Sequence, residues 1–486
     1  MALPTISSRP TKTSGGFVSK WNAAHNPIVY KFSEDKWPAN TADSSDNITA
    51  HADDYGNVQF TIAGHSYSPR EWVTIASSDI DSYNGVWQIL STETNTITLD
   101  LPYEAGTLGS PTALKYYRAY HMLVEVYAGI PAGHALAASD PIAFVATIKA
   151  VPNADNEVLV DVAELVREHI FMLNDIDDND INLWTEFYVK YAESYDDVTG
   201  TYPDDEIVQF ISTYTDDVAN TFLAVQAKMP FQNTYGANML EWIVASNHQG
   251  KFLTKFERPV LWKNIFFDIA VAIDSSVASP ALDYEEFTEA GVSLGTGSFN
   301  LASEDEGIYR IQLDDIAFNA STAYIEAYVD GGSDTEVITI DVREECNTRE
   351  GIHLTWLNNL GGFDHWFFEA YHSRGIEFEE AERYKKNVFE NWDTNFINGE
   401  TVESFNRIEA YQNIRVRSQL LTKEQVQGIS YVKTSPLVQI FNDTMGNDKT
   451  TVVVDKRDFT VYEEEDQLYT IDFSLRFTAM LPIQNA

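Results

Sequence analysis

The sequence predicts a mainly β, multidomain protein: β-sandwiches with a small inserted β-barrel and few short helices. Three observations carry that prediction. Apolar and polar residues alternate in short runs, most clearly near the end, where Ile471, Phe473, Leu475 and Phe477 interleave with Asp472, Ser474, Arg476 and Thr478, the period of a half-buried strand. Aromatic residues are abundant, with 27 Phe, 25 Tyr and 10 Trp, and such side chains favour pleated surfaces. At 486 residues the chain is also too long for one ordinary core and suggests three or four domains.

Residues 1–19 mix Pro, Thr, Ser and Gly and read as an N-terminal arm or peripheral strand. The run from Asn26 to Phe32 opens a first β-sandwich, expected over 20–47 and 104–173. Between these parts, short β runs separated by turn residues, such as Tyr83-Asn84-Gly85 before Val86-Trp87-Gln88-Ile89, predict a small barrel inserted at 48–103. An inserted unit costs its host little if its ends lie close together. Asp161 to Glu164 has the spacing of a capping box ahead of a short helix.

A central β-rich region of one or two domains is expected over 174–345, with a helical candidate at 216–227. A C-terminal assembly domain is expected over 346–486. It opens on GIHLTWLNNLGGFDHWFFEAY, residues 351–371, which reads as strand, tight turn and strand, with an apolar alternation that needs a covered face. Residues 377–389 read as a charged connector or short helix, and residues 421–428 as a short helix capped by Thr422.

Composition narrows the function. Asp and Glu total 74 against 32 Lys and Arg, a formal net charge of -42, so the field of the chain repels nucleic acid and anionic membranes and favours cations or basic protein patches. The acidic surface also suits a conduit through which nucleic acid passes without sticking. One cysteine, Cys346, makes neither an intramolecular disulfide nor a Cys-based zinc centre. Neither a secretory signal nor a membrane span is indicated.

The strongest metal-like pattern is Asp175, Asp177, Asn179 and Glu186, at positions one, three, five and twelve of a calcium loop. Asp180 stands where an EF-hand carries Gly, and a strand follows where it needs a helix, so a solvated acidic loop is the alternative. His353, His365 and His372 near Asp364 lack the short-range pairing of a zinc signature. Gly361-Gly362 reads as a turn, and Trp356, Phe363, Trp366 and Phe368 as packing. No serine-hydrolase elbow, metalloprotease motif or phosphate loop is present, so no catalytic residues are assigned and the chain is not expected to be an enzyme. Tyr67, Tyr83, Trp87 and Tyr103 offer a sugar-stacking surface if exposed and a barrel core if not.

Five stretches, WNAAHNPIVYKF, NGVWQI, HLTWLNNLGGFDHWFF, SPLVQIF and LYTIDFSLRF, resemble structural proteins of tailed phages infecting Bacteroidota-type bacteria, particularly tail or baseplate components. Trp356, Gly361, Gly362, Asp364 and Trp366 match the hairpin of that class. The resemblance implies β domains assembled into a ring or fibre-attachment region of a virion put together in the host cytoplasm. Its implied partners are further copies of itself, other tail or portal-proximal proteins and possible host glycan. The alternatives are a host-surface glycan-binding adhesin, a capsid-decorating protein and a carbohydrate-active enzyme.

Overall fold

The computed structural model describes residues 5–10, 12–14, 17–33, 46–130, 141–153, 155, 157–170, 183–199, 206–228, 250–273, 281–300, 307–314, 316–330, 337–344, 351–369, 372–380, 383–385, 403–405, 408–442, 448–454 and 469–480. They are mostly strand, with two short α-helices, Ala163–Arg167 and Lys423–Ser430, among the described residues. The described residues fall into two compact units, the first within 1–169 and 185–224, the second within 170–184, 225–230 and 238–486.

In the first unit, strand Val29–Ser33 pairs with Thr5–Ser8 on one side and Glu157–Asp161 on the other. The chain therefore returns at Glu157 beside the point it left at Ser33, and the N-terminal segment supplies a peripheral strand to its own chain. Tyr30 and Phe32 point inward to Phe222 and Tyr191, with ring centroids 5.9 and 5.1 Å apart. Those two rings belong to a second sheet ordered Ala143–Ala150, His121–Gly129, Trp184–Thr199, Phe222–Val225 and Trp21–Ala23.

Residues 46–116 form a seven-stranded sheet that curls into a half-barrel without closing. Its edges, Asp46–Asn47 and Ala50–Asp54, are successive pieces of chain. The amides between them diverge, Ile48 donating to Pro111 O at 3.1 Å and Thr49 to Thr61 O at 3.0 Å. The expected small closed barrel is thus a curled open sheet. The helix expected at 216–227 is two strands, Thr215–Asp216 and Phe222–Val225. Asp217 is drawn into a bidentate pair with Arg9 at 2.8 and 2.9 Å and a bond from Asn220 at 2.8 Å, and all four residues of Phe222–Val225 are buried; tertiary pairing overrides propensity. Asp161 uses its side chain not for a full capping box but to accept from Ile28 N and Ala163 N.

In the second unit, the sheet of Gly250–Phe252, Asp268–Ile273 and Gly307–Gln312 shares one apolar core with a five-stranded sheet of Val260–Trp262, Ile338–Arg343, Tyr324–Asp330, Ala281–Phe287 and Ser293–Asn300. Another sheet runs in the order Phe363–Phe368, Ile352–Leu357, Val438–Phe441, Lys449–Val454, Asp472–Met480, Ile408–Arg417 and His372–Glu380. Its two edge strands are consecutive in the chain, and the connection 369–371 spans at most about 14 Å when fully extended, so this sheet must curl. The segment expected as a connector or helix from Glu377 continues strand His372–Glu380, whose nine residues all pair with Ile408–Arg417. The expected helix after Leu421 is present, with Thr422 and Gln425 exchanging capping-box bonds.

The hairpin joins these layers. Its turn runs through Gly361, at φ +93°, and Gly362, where a Cβ would lie 2.2 Å from Leu253 O and 3.1 Å from Ala270 Cβ. Backbone oxygen cannot retreat as a flexible side chain can, so Gly362→Ala is expected to destabilise the unit by about 3 kcal/mol or more, at or beyond the usual overpacking range. Urea unfolding followed by tryptophan fluorescence checks it; an unchanged midpoint would show the close approach to be dispensable.

Candidate functional site

Strands Ile352–Leu357 and Phe363–Phe368 pair in register, so alternate residues divide between two faces. Ile352, Leu354, Trp356, Phe368 and Trp366 join the core beneath the curled sheet, with Trp366 stacked on Phe256 at 5.6 Å and edge-on to Trp262 at 5.1 Å. Asp364 shares that face at the turn end. His353, Thr355, His365 and Phe363 take the opposite face, against Asp268 and Arg310. One covered face was expected; all twelve strand residues are buried.

Asp268 and Arg310 sit on adjacent strands with both side chains fully buried. Arg310 Nε and Nη2 donate to the two carboxylate oxygens at 2.7 and 2.8 Å, and its guanidinium lies 4.6 Å over the Phe363 ring. His365 Nε2 reaches Asp268 Oδ1 at 2.8 Å, bent off the line of a good hydrogen bond. Burial alone would raise the Asp268 carboxyl, but Arg310 and His365 outweigh it and hold the group well below the usual carboxylate range. His353, stacked on Phe441 at 4.5 Å, has its pKa pushed well down by burial and by His365, with Asp268 opposing. It is therefore neutral at pH 7.

Asp364 has the opposite fate. It accepts from Thr254 Oγ1 at 2.6 Å and weakly from Lys255 N at 3.3 Å, yet burial wins and raises its carboxyl to about 7. Two aspartates of one unit are thus separated by whether a guanidinium meets them. The cavity between them, lined by Thr254, Phe267, Asp268, Asp364 and His365, measures about 10 Å³, room for one water at most. A larger cavity of about 770 Å³ is lined by His353, Phe441, Arg374 and Gln412.

Of the calcium-loop residues, Asp175, Asp177 and Asn179 lie outside the described residues, as does Cys346. Glu186 lies in strand Trp184–Thr199, 6% exposed, with burial raising its carboxyl against a bond from Thr221 and the charge of Lys20. Among the described residues no group of three or more His, Cys, Asp or Glu is placed to hold a metal. His353 and His365 meet at 5.6 Å between ring centroids, while His372 begins the far edge strand of that sheet. The four aromatics of the half-barrel fill or flank its core. Tyr83 OH donates to Glu104 O at 2.8 Å, Trp87 Nε1 to Tyr83 O at 2.9 Å and Tyr67 OH to Ala113 O at 3.1 Å; Tyr67 and Tyr83 are buried, and Trp87 and Tyr103 are half-buried against that core. Asp268 and Arg310 were missed; the available signal was one acid and one base, each inside an apolar strand run. No protein-family model matches the chain, and no curated protein matches it.

Arg310→Met strands a buried carboxylate and is expected to cost about 3–5 kcal/mol. Arg310→Lys should recover little, because an ammonium cannot reproduce the two-pronged geometry; a lysine variant with wild-type urea stability would show that charge alone suffices.

The pH dependence has two arms. Asp364 is raised from 3.8 to about 7 on folding, so its contribution is full below about pH 4 and lost as pH rises through about 7. His353 is depressed from 6.5, so its contribution is full above that value and lost as pH falls below it. The two contributions therefore oppose each other between about pH 4 and 7, and neither changes with pH above about 7. Asp364→Asn should remove the loss that accompanies rising pH over that window, worth up to about 4 kcal/mol for a shift near three units, so the variant's stability relative to the wild type rises between about pH 4 and 7. Unfolding midpoints from about pH 4 to 8 test this; a difference between variant and wild type that does not change with pH refutes the assignment.

Proposed function

We propose that this chain is a structural protein of a phage virion, in the tail, baseplate or tail-fibre attachment region, acting through oligomeric assembly. The observation that carries the reading is the use made of the hairpin bearing the resemblance. Trp356, Gly361, Gly362, Asp364 and Trp366 are all buried, and each is engaged in joining layers of strands. Such a construction suits a part that holds interfaces in fixed positions. We read the paired sheets as β-sandwiches and the half-barrel as an inserted module. Repetition about an axis turns weak contacts into a stable assembly through high effective concentration.

Light scattering after size separation, at several protein concentrations, tests the reading. A discrete mass that is a multiple of 54.8 kDa is expected; a single-chain mass at every concentration overturns self-assembly. Repeating the measurement with calcium and with a chelator reads the acidic stretch 175–186, a site there giving a calcium-dependent change in mass or melting temperature.

A further inference from the structure

We infer that strand Ala143–Ala150 is the edge at which a second copy of this chain docks, by extending the sheet of the first unit. The inference rests on the assembly reading and names its contact. Among the described residues the strand pairs on one side only, with His121–Gly129, and ends the order of its sheet. The opposite edge strand of that sheet, Trp21–Ala23, is buried throughout. Along 143–150 every residue is exposed or half-exposed, so a row of backbone donors and acceptors faces solvent, a template for another strand.

Its side chains favour covering. Phe144 is 53% exposed and forms the outer end of a cross-strand row with Tyr127 and Tyr188, at centroid separations of 5.8 and 5.0 Å. On the other face Ala146, Ile148 and Ala150, opposite the buried Val126, Val124 and Met122, remain half-exposed. Apolar surface is thus open on both faces of the edge.

Charge selects the occupant. Copies carrying -42 each repel one another, so they meet most readily where acid is absent. Residues 141–153 contain no Asp or Glu and one Lys, Lys149. The strand is guarded only by that lysine and by a bulge at Val145, light protection for an eight-residue edge. Another edge, Ser293–Asn300, exposes Ser, Gly, Thr and Asn, with Leu294 and Phe299 half-buried and Tyr284 lying across Gly297. Its fully exposed positions are all polar or glycine.

The test compares the full chain with a Phe144→Glu, Thr147→Glu, Lys149→Glu variant by light scattering, together with amide hydrogen exchange of the wild type across concentration. The expected result is a wild-type oligomer, a variant that self-associates at least ten-fold more weakly with an unchanged melting temperature, and protection of 143–150 that rises with concentration. A wild-type oligomer whose 143–150 amides gain no protection overturns the edge assignment while leaving assembly intact, whatever the fate of the variant. So does a folded variant of wild-type mass. A wild type that stays single-chain throughout overturns both.

Discussion

The second unit depends on placing one ion pair, Asp268 with Arg310, between layers of strands where water does not reach. Both side chains are fully buried, and desolvation of each charge costs several kcal/mol unless geometry returns it. The geometry does so by using every prong available: two guanidinium bonds to the carboxylate, an aromatic ring beneath the cation and an imidazole on the acid. A pair of this kind adds less to net stability than apolar packing of equal volume. It is unforgiving of a wrong register, because a one-residue slip of either strand turns a charge into the apolar core on the other face.

That constraint explains the hairpin. A strand with a polar ladder on one face and tryptophans on the other has no solvent side left, so the turn has to pass within contact distance of the neighbouring backbone. Gly361 and Gly362 allow that passage. Asn358 ties the turn, donating to Leu253 O at 2.8 Å and accepting from Leu360 N at 2.8 Å. Asp364 is the residue this arrangement serves worst. It lies on the apolar face, where the bonds from Thr254 and Lys255 N and the charge of Lys255 do not offset its burial, and its carboxyl is raised to about 7. Asp268 and Asp364 show that burial alone does not set ionisation; the partner does.

The legibility of these features in the sequence follows their range. The hairpin, the terminal alternating strand and the Thr422 cap were readable because their signals lie within a few residues: period two, a glycine turn, and a threonine three positions before a glutamine. The helical reading of 216–227 failed because distant partners such as Arg9 fix extended backbone. Of the stretch 377–389, read as a charged connector or short helix, residues 377–380 and 383–385 are strand, while 381–382 and 386–389 lie outside the described residues. Burial of both faces was hidden because a histidine-threonine face looks solvent-facing until Asp268 and Arg310, from about 40 to 100 positions upstream, are brought against it. The aromatics of the half-barrel were ambiguous for a related reason, since curling a sheet turns one face into an interior and the sequence does not state its curvature.

The charge of the chain acquires meaning from the same partition. Cations are scarce, and several are committed: Arg310 inside the second unit, Arg9 to Asp217, Lys115 to Glu71 and Arg258 to Asp341. The surplus of acid over base carries a mutual repulsion that compact packing must exceed. A protein so charged keeps its copies apart over most of its surface, and screening reaches only about 8–10 Å at ordinary ionic strength. Contact is then governed less by how much apolar surface is exposed than by where the acid is missing. Exposed Leu159 is flanked along its strand by Glu157 and Asp161, whereas the acid-free strand Ala143–Ala150 offers continuous backbone. For the self-association proposed above, selectivity therefore begins with the distribution of carboxylates along the sequence.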